Sequence, residues 1–307
     1  MHKTQILTIK LLLGSLMSSF KFSTIVIIQS LDPGDFKSGT ELGKYIDGLR
    51  VDHPAVPNVE LIEVSGRDEF LQTIDRLRVE AEQSGDCPIL QIEMHGWEDK
   101  SGIAFPDDSS LNWKELSQPL ASLNRATGFN LLVCMSACFG GHSLSFVRPG
   151  GSSPCFALIG PTHSVNAGDL LGSFRALYRE LLITLDANAA LAKLRTHGLS
   201  QGGFVTVTAE EWFFKLADGY LREHCTEERL KARAKKLTDE MTREGKTLNT
   251  AQQAAMLQIG EQLAISFLDR RFPEFFMVDA IPSNQARFGD SLAKARQQVA
   301  DFLAAQR

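Results

Sequence analysis

The chain has 307 residues, 43% of them hydrophobic, and a formal net charge of -5, which is room and apolar material for one large domain or two smaller ones. The negative balance excludes a general nucleic-acid binder, because neutralising phosphates needs a basic surface. Its cysteines (Cys87, Cys134, Cys138, Cys155 and Cys225) are odd in number, so they do not read as a disulfide framework and fit a reducing compartment.

Residues 6–17 are an apolar run after Lys3, but Lys10 interrupts it and no small-residue cleavage site follows. It reads as a core strand or packing helix rather than a signal peptide. No run reaches the roughly 18 apolar residues that a membrane span needs, and the expected location is the cytoplasm. Residues 24–28 (TIVII) are a continuous β-branched stretch, the pattern of a strand buried on both faces. Asp32-Pro33-Gly34 is a turn signal. A helix is expected from about Gly39 to Leu49, a strand at 59–64, and a helix capped by Ser65 or Asp68 that aligns Phe70, Ile74 and Leu77 on one face.

A third strand, 89–94, ends at His95-Gly96, and 101–113 reads as a small hairpin turning at Pro106-Asp107-Asp108. A helix from Trp113 to Leu123 leads to a fourth strand, 129–135, which ends at Ser136-Ala137-Cys138 before Gly140-Gly141. A fifth strand at 155–160, a helix at 167–185, a helix capped near Asp186, and a sixth strand at 204–208 follow. Strands alternating with helices predict an α/β fold with a mostly parallel sheet of about six strands. Chemistry in such sheets gathers at the carboxyl ends of the strands. From 209 onward the pattern turns helical, including a charged helix over 226–246 with Leu230, Ala234, Leu237 and Met241 on one face and a solvated opposite face. Two regions are therefore expected, 1–208 and a helical 209–307.

Two strand ends carry the chemistry. A thiol attacks as thiolate, and an imidazole able to take its proton is the usual activator. Cys138 and His95 each follow a predicted strand and are 43 residues apart. Backbone N–H groups of Gly96 and Cys138 are candidates for an oxyanion hole, and the glycines at 96, 140 and 141 leave room for a substrate backbone. Taken singly, a histidine after a strand is more often a hydrogen-bonded structural residue, and a cysteine a small core hydrophobe. Their order and glycine context together favour chemistry.

An apolar strand ending in His-Gly, followed by one ending in Ser-Ala-Cys-x-Gly-Gly, resembles the caspase-like cysteine peptidases, over roughly residues 23–205. Ser136 stands where the strict caspase pattern has Gln, which weakens an expectation of aspartate specificity and makes the chain most like the bacterial CHAT-type proteases. The resemblance implies a caspase-like three-layer sandwich and a Cys138–His95 endopeptidase acting on a protein substrate under a regulatory partner, in a phage-defence or cell-death setting. A catalytically inactive scaffold and a thiol hydrolase of non-peptide acyl bonds are the rivals.

Glu93 shares a strand face with Gln91 and His95. It reads as orienting His95, lining a pocket for a basic substrate side chain, or simply solvated, while Asp99 and Asp169 are rival pocket acids. Asp169 also suits the start of a helix beside Asn166. Cys155 with His163 lacks glycine context. The Cys134, Cys138, His142 spacing fits known zinc patterns poorly, so neither a metal nor another cofactor is expected.

Overall fold

The computed structural model describes residues 6–13, 16–142, 151–197, 203–245, 249, 252 and 266–305. The N-terminal apolar run takes the strand alternative: β1 (Leu7–Leu13) and β2 (Leu16–Phe22) pair antiparallel as a separate two-stranded sheet. Phe20 and Phe22 are buried, and the Phe20 ring lies 5.4 Å from that of Phe156.

The TIVII run is the heart of β3 (Thr24–Ser30), buried at every position after Thr24. The chain continues through α1 (Ser38–Asp52), β4 (Val59–Glu63), α2 (Arg67–Ser84), β5 (Pro88–Gly96), the small strands β6 (Gly102–Ala104) and β7 (Ser110–Asn112), and α3 (Trp113–Ala126). It then forms β8 (Leu132–Ser136), β9 (Ala157–Pro161), α4 (Ala167–Thr184), α5 (Ala187–Thr196) and β10 (Phe204–Thr208). The main sheet runs β10-β9-β8-β5-β3-β4, with β6 and β7 branching from the end of β5. All neighbours from β9 to β4 are parallel, and β10 alone runs antiparallel to its neighbour. The chain is thus α/β with a mostly parallel central sheet and helices. Helix α1 packs on α4 and α4 on α5, while α2 packs on α3, each through an apolar stripe such as Leu42 and Ile46 or Phe70, Ile74 and Leu77.

Local capping follows sequence in some places and tertiary contact in others. Asn112 and Glu115 form a reciprocal capping box on α3, and Asp186 caps α5 through Asn188 and Ala189 N–H. For α2 the expected caps Ser65 and Asp68 do not serve. Its cap position is Gly66, in extended conformation and making no side-chain cap bond, with the Asp107 carboxylate of the β6–β7 turn close against it.

The chain divides into two compact units, 1–209 and 210–307. In the second, α6 (Ala209–His224) places Phe213 among Phe272, Phe275 and Phe276, with ring centroids 5.3 to 5.8 Å away. Helix α7 (Glu227–Arg243) buries Leu230 and Ala234 and half-buries Leu237 and Met241, as the spacing predicts. Helical residues 266–275 (α8), α9 (Asn284–Arg287) and α10 (Gly289–Ala304) complete the described part. The expectation of helix over most of 246–265 lies outside the described residues. No described helix is long and apolar enough to cross a membrane.

Candidate active site

Parallel pairing puts the carboxyl ends of β3, β5 and β8 on one rim. The register aligns Glu63 of β4 with Gln29 of β3, Gln29 with Glu93 of β5, and Glu93 with Ser136 of β8. These four polar residues make a row across the last rung of the sheet, and α1 starts on top of it. Gln29 donates to Glu63 Oε1 at 2.9 Å and accepts from the Thr40 N–H at 3.0 Å. It thereby satisfies one of the orphan amides of a helix whose own cap residue, Lys37, makes no side-chain cap bond. Ser38, at the helix start, donates to Glu93 Oε2 at 2.6 Å.

Glu93 is therefore a buried residue, 2% exposed, and not the solvated glutamate that one reading of the sequence allowed. Ser38 and Ser136 donate to Oε2, and Gln91 donates to Oε1 at 2.7 Å. Gln91 is in turn held by the Tyr178 hydroxyl at 3.0 Å. Burial pushes the Glu93 carboxyl up to about 6, opposed by the three hydrogen bonds. Among the described residues no Lys, Arg or His side chain pairs with it.

The sign of the effect on stability is definite. A folded-state value of about 6 against an ordinary 4.5 means that the native state binds this proton more readily than the unfolded chain. The contribution is full below pH 4.5 and is lost as pH rises through 6. The difference is worth about 2 kcal/mol. Between pH 4.5 and 7.5 the wild type should therefore lose about 2 kcal/mol more stability than Glu93→Gln, measured by denaturant unfolding at both pH values; equal losses would show that the carboxylate is not uncomfortable.

Two residues further, β5 leaves the core: His95 is exposed and Gly96 half-buried after seven consecutive buried residues. The imidazole does not stand alone. Its Nε2 lies 2.8 Å from Asp35 Oδ2, on the turn after β3. A carboxylate of ordinary acidity only accepts, so Nε2 carries the proton and Nδ1 of the neutral ring is left as a base. The hydrogen bond from His95 holds the Asp35 carboxyl below its usual range. Asp35 is itself fixed by its turn, with the Asp32 N–H donating to Oδ2 at 2.9 Å and Lys37 Nζ bridging the Leu31 and Asp32 carbonyls at 2.8 Å each.

Cys138 sits in the turn just past β8, and the backbones of the two strand ends touch. A Cβ on Gly96 would fall 1.9 Å from the Cys138 carbonyl oxygen. Glycine is needed there for this contact, and at 140 and 141 for the fit of the turn against Met135, Val205 and the Pro161 carbonyl; substrate clearance, the expected role, is not what constrains them. Phe139 adopts a left-handed φ of 59°, an uncommon conformation for an aromatic residue, and its N–H donates to the His163 carbonyl at 3.1 Å. The thiol is half-buried and lies 3.5 Å from Ser164 Oγ and 3.8 Å from the Val165 carbonyl. Thiol and imidazole are not hydrogen-bonded to each other in this state.

Asp35, Glu93, His95 and Cys138 line one solvent-open cleft of about 120 Å³, with Leu31, Phe36, Val165 and Leu170 among its apolar walls. The rival acids do not reach it. Asp99 lies in the β5–β6 turn, where it accepts from the Ser101 N–H at 2.9 Å. Asp169 is an exposed first-turn residue of α4, whose cap is Asn166. Cys134 is fully buried in β8, with its thiol pushed up to about 12 by desolvation, so it shares no ligand position with Cys138 and His142. His163 bonds Thr162, not the buried Cys155. Among the described residues the only cluster of metal-ligating atoms is Asp32, Asp35 and His95, within 4.8 Å of one another; the Asp35–His95 bond accounts for two of the three without an ion.

Asp35 escapes a sequence reading because Asp32-Pro33-Gly34 announces a turn and nothing announces that β3 lies beside β5. No protein-family model matches the chain, and no curated protein is significantly similar to it.

Proposed function

We propose that the chain is a cysteine endopeptidase with a caspase-like three-layer fold, Cys138 as nucleophile and His95 as its proton-transfer partner. The observation that carries this is the placement in one cleft, at the ends of adjacent parallel strands, of a thiol and an imidazole that are 43 residues apart in sequence. Asp35 adds to it by fixing the ring so that Nδ1 is the free base. Movement of the His95 ring toward the thiol, with the Nε2–Asp35 hydrogen bond kept, lets Nδ1 take its proton. The thiolate attacks the scissile carbonyl, and the oxyanion develops beside the Cys138 N–H, which donates to nothing among the described residues, and the Gly96 backbone. The imidazolium then protonates the leaving amine, the carbon–nitrogen bond breaks, and water hydrolyses the thioester.

Asp35 acts through His95 as a positioning residue. Asp35→Asn should lower kcat on the order of 100-fold, with KM and melting temperature nearly unchanged. A matching rise in KM with kcat intact would remove it from this role.

The motif context supports a CHAT-type enzyme that cleaves a dedicated partner protein under regulation, as in bacterial defence or cell death, and free thiols at all five cysteines support a cytoplasmic setting. The rival, an inactive scaffold, draws on the fact that thiol and imidazole each have other partners at rest. Iodoacetamide decides between them. A catalytic Cys138 should alkylate at least about tenfold faster than in a His95→Ala variant; an unchanged rate supports the scaffold.

A further inference from the structure

The floor of the cleft holds a negative charge with no positive partner. Its lining includes two carboxylates, Asp35 and Glu93, and no lysine or arginine. Asp35 accepts a hydrogen bond from His95, and the nearby Lys37 ammonium is engaged by two backbone carbonyls. Glu93 meets only neutral donors. Retaining a carboxylate there is costly unless a cation arrives.

The geometry suits such an arrival. Glu93 lies two residues before His95 on the same strand face, about 7 Å below the rim. Its Oε1 accepts a single bond, from Gln91, and the Ser38 and Ser136 hydroxyl oxygens, while donating to Oε2, still have lone pairs to offer. Glu93, Ser38 and Ser136 all line the cleft, so a carboxylate and two hydroxyls are within its reach for a guanidinium or ammonium group. Leu31, Phe36, Val165 and Leu170 provide apolar surface for its aliphatic stem.

We infer that this cleft receives an arginine or lysine side chain of the substrate, with Glu93 as counter-charge. Use of the site for the residue before the scissile bond rests on the peptidase reading, whereas the charge selectivity does not. An aspartate there would bring a second carboxylate toward the first, so the pocket opposes the acidic preference of the caspases.

The test separates the two ideas by removing turnover. Cys138→Ala protein is titrated with N-acetyl-arginine methylamide, its lysine and aspartate counterparts, and its norleucine counterpart, followed by heteronuclear NMR. Arginine or lysine should bind on the order of 100-fold tighter than norleucine, and aspartate should not bind. The preference should vanish in Cys138→Ala/Glu93→Gln. Equal affinities for the basic and norleucine amides would overturn the inference whether or not the wild type is a peptidase. In the wild type, peptides ending in Arg, Lys, Asp or Leu before the cleaved bond give the second readout. Cleavage after leucine as fast as after arginine would overturn the inference and leave the peptidase reading standing. Basic-selective binding without cleavage of any peptide would uphold the inference and remove the peptidase reading.

Discussion

Cys138→Ala and His95→Ala should each lower peptide hydrolysis by at least about three orders of magnitude while leaving the melting temperature within about 2 °C. The second half of this expectation follows from position. Both side chains belong to the rim, His95 exposed and Cys138 half-buried, and neither fills the core, so truncation creates no interior cavity. The double variant should be no slower than either single one, because an imidazole without its thiol has nothing to activate. Residual rates within tenfold of wild type in the Cys138→Ala protein would place the nucleophile elsewhere. Turnover lost together with a fall of many degrees in melting temperature would mark the two residues as structural.

Gly96→Ala should be the most damaging single-methyl change in the unit 1–209. The new Cβ would meet the Cys138 carbonyl oxygen at 1.9 Å and its carbon at 2.9 Å. Both are backbone atoms, with no flexible side-chain end that could swing aside. The tips of β5 and β8 must part, at a cost of about 3 kcal/mol. Because the same two tips carry the imidazole and the thiol, the displacement should also reduce kcat on the order of 100-fold. Denaturant unfolding and steady-state kinetics on one preparation check both numbers. A Gly96→Ala protein as stable as wild type would show that the two strand ends do not touch.

The elements that sequence makes legible are those whose pattern is local. The β-branched run of β3, the strand ending in His95 and the one ending in Cys138 are recognisable because burial on both faces leaves them continuously apolar. The caps at Asn166 and Asp186 are likewise written in neighbouring residues. What sequence does not disclose is lateral order. The placement of β3 beside β5 brings Asp35 to His95, and the shared register of Gln29, Glu93 and Ser136 makes a row of three residues far apart in the chain. For the same reason Glu93, Asp99 and Asp169 are indistinguishable as pocket acids until the sheet order is known, whereupon only Glu93 faces the cleft. The α2 cap fails as a local inference because a distant residue, Ser109 of the β6–β7 turn, accepts the Arg67 N–H at the helix start. The antiparallel course of β10 is also silent in sequence, since alternation of apolar residues does not encode direction.

The interior placement of Cys87, Cys134, Cys155 and Cys225 gives the molecule a built-in integrity gauge. Native protein should take up one equivalent of a bulky thiol reagent and denatured protein five, so the ratio of the two titres reports the folded fraction of any variant without a fluorescent label. Thiol oxidation would follow the same division: mild peroxide should exhaust the single accessible thiol while the buried ones survive until the fold opens.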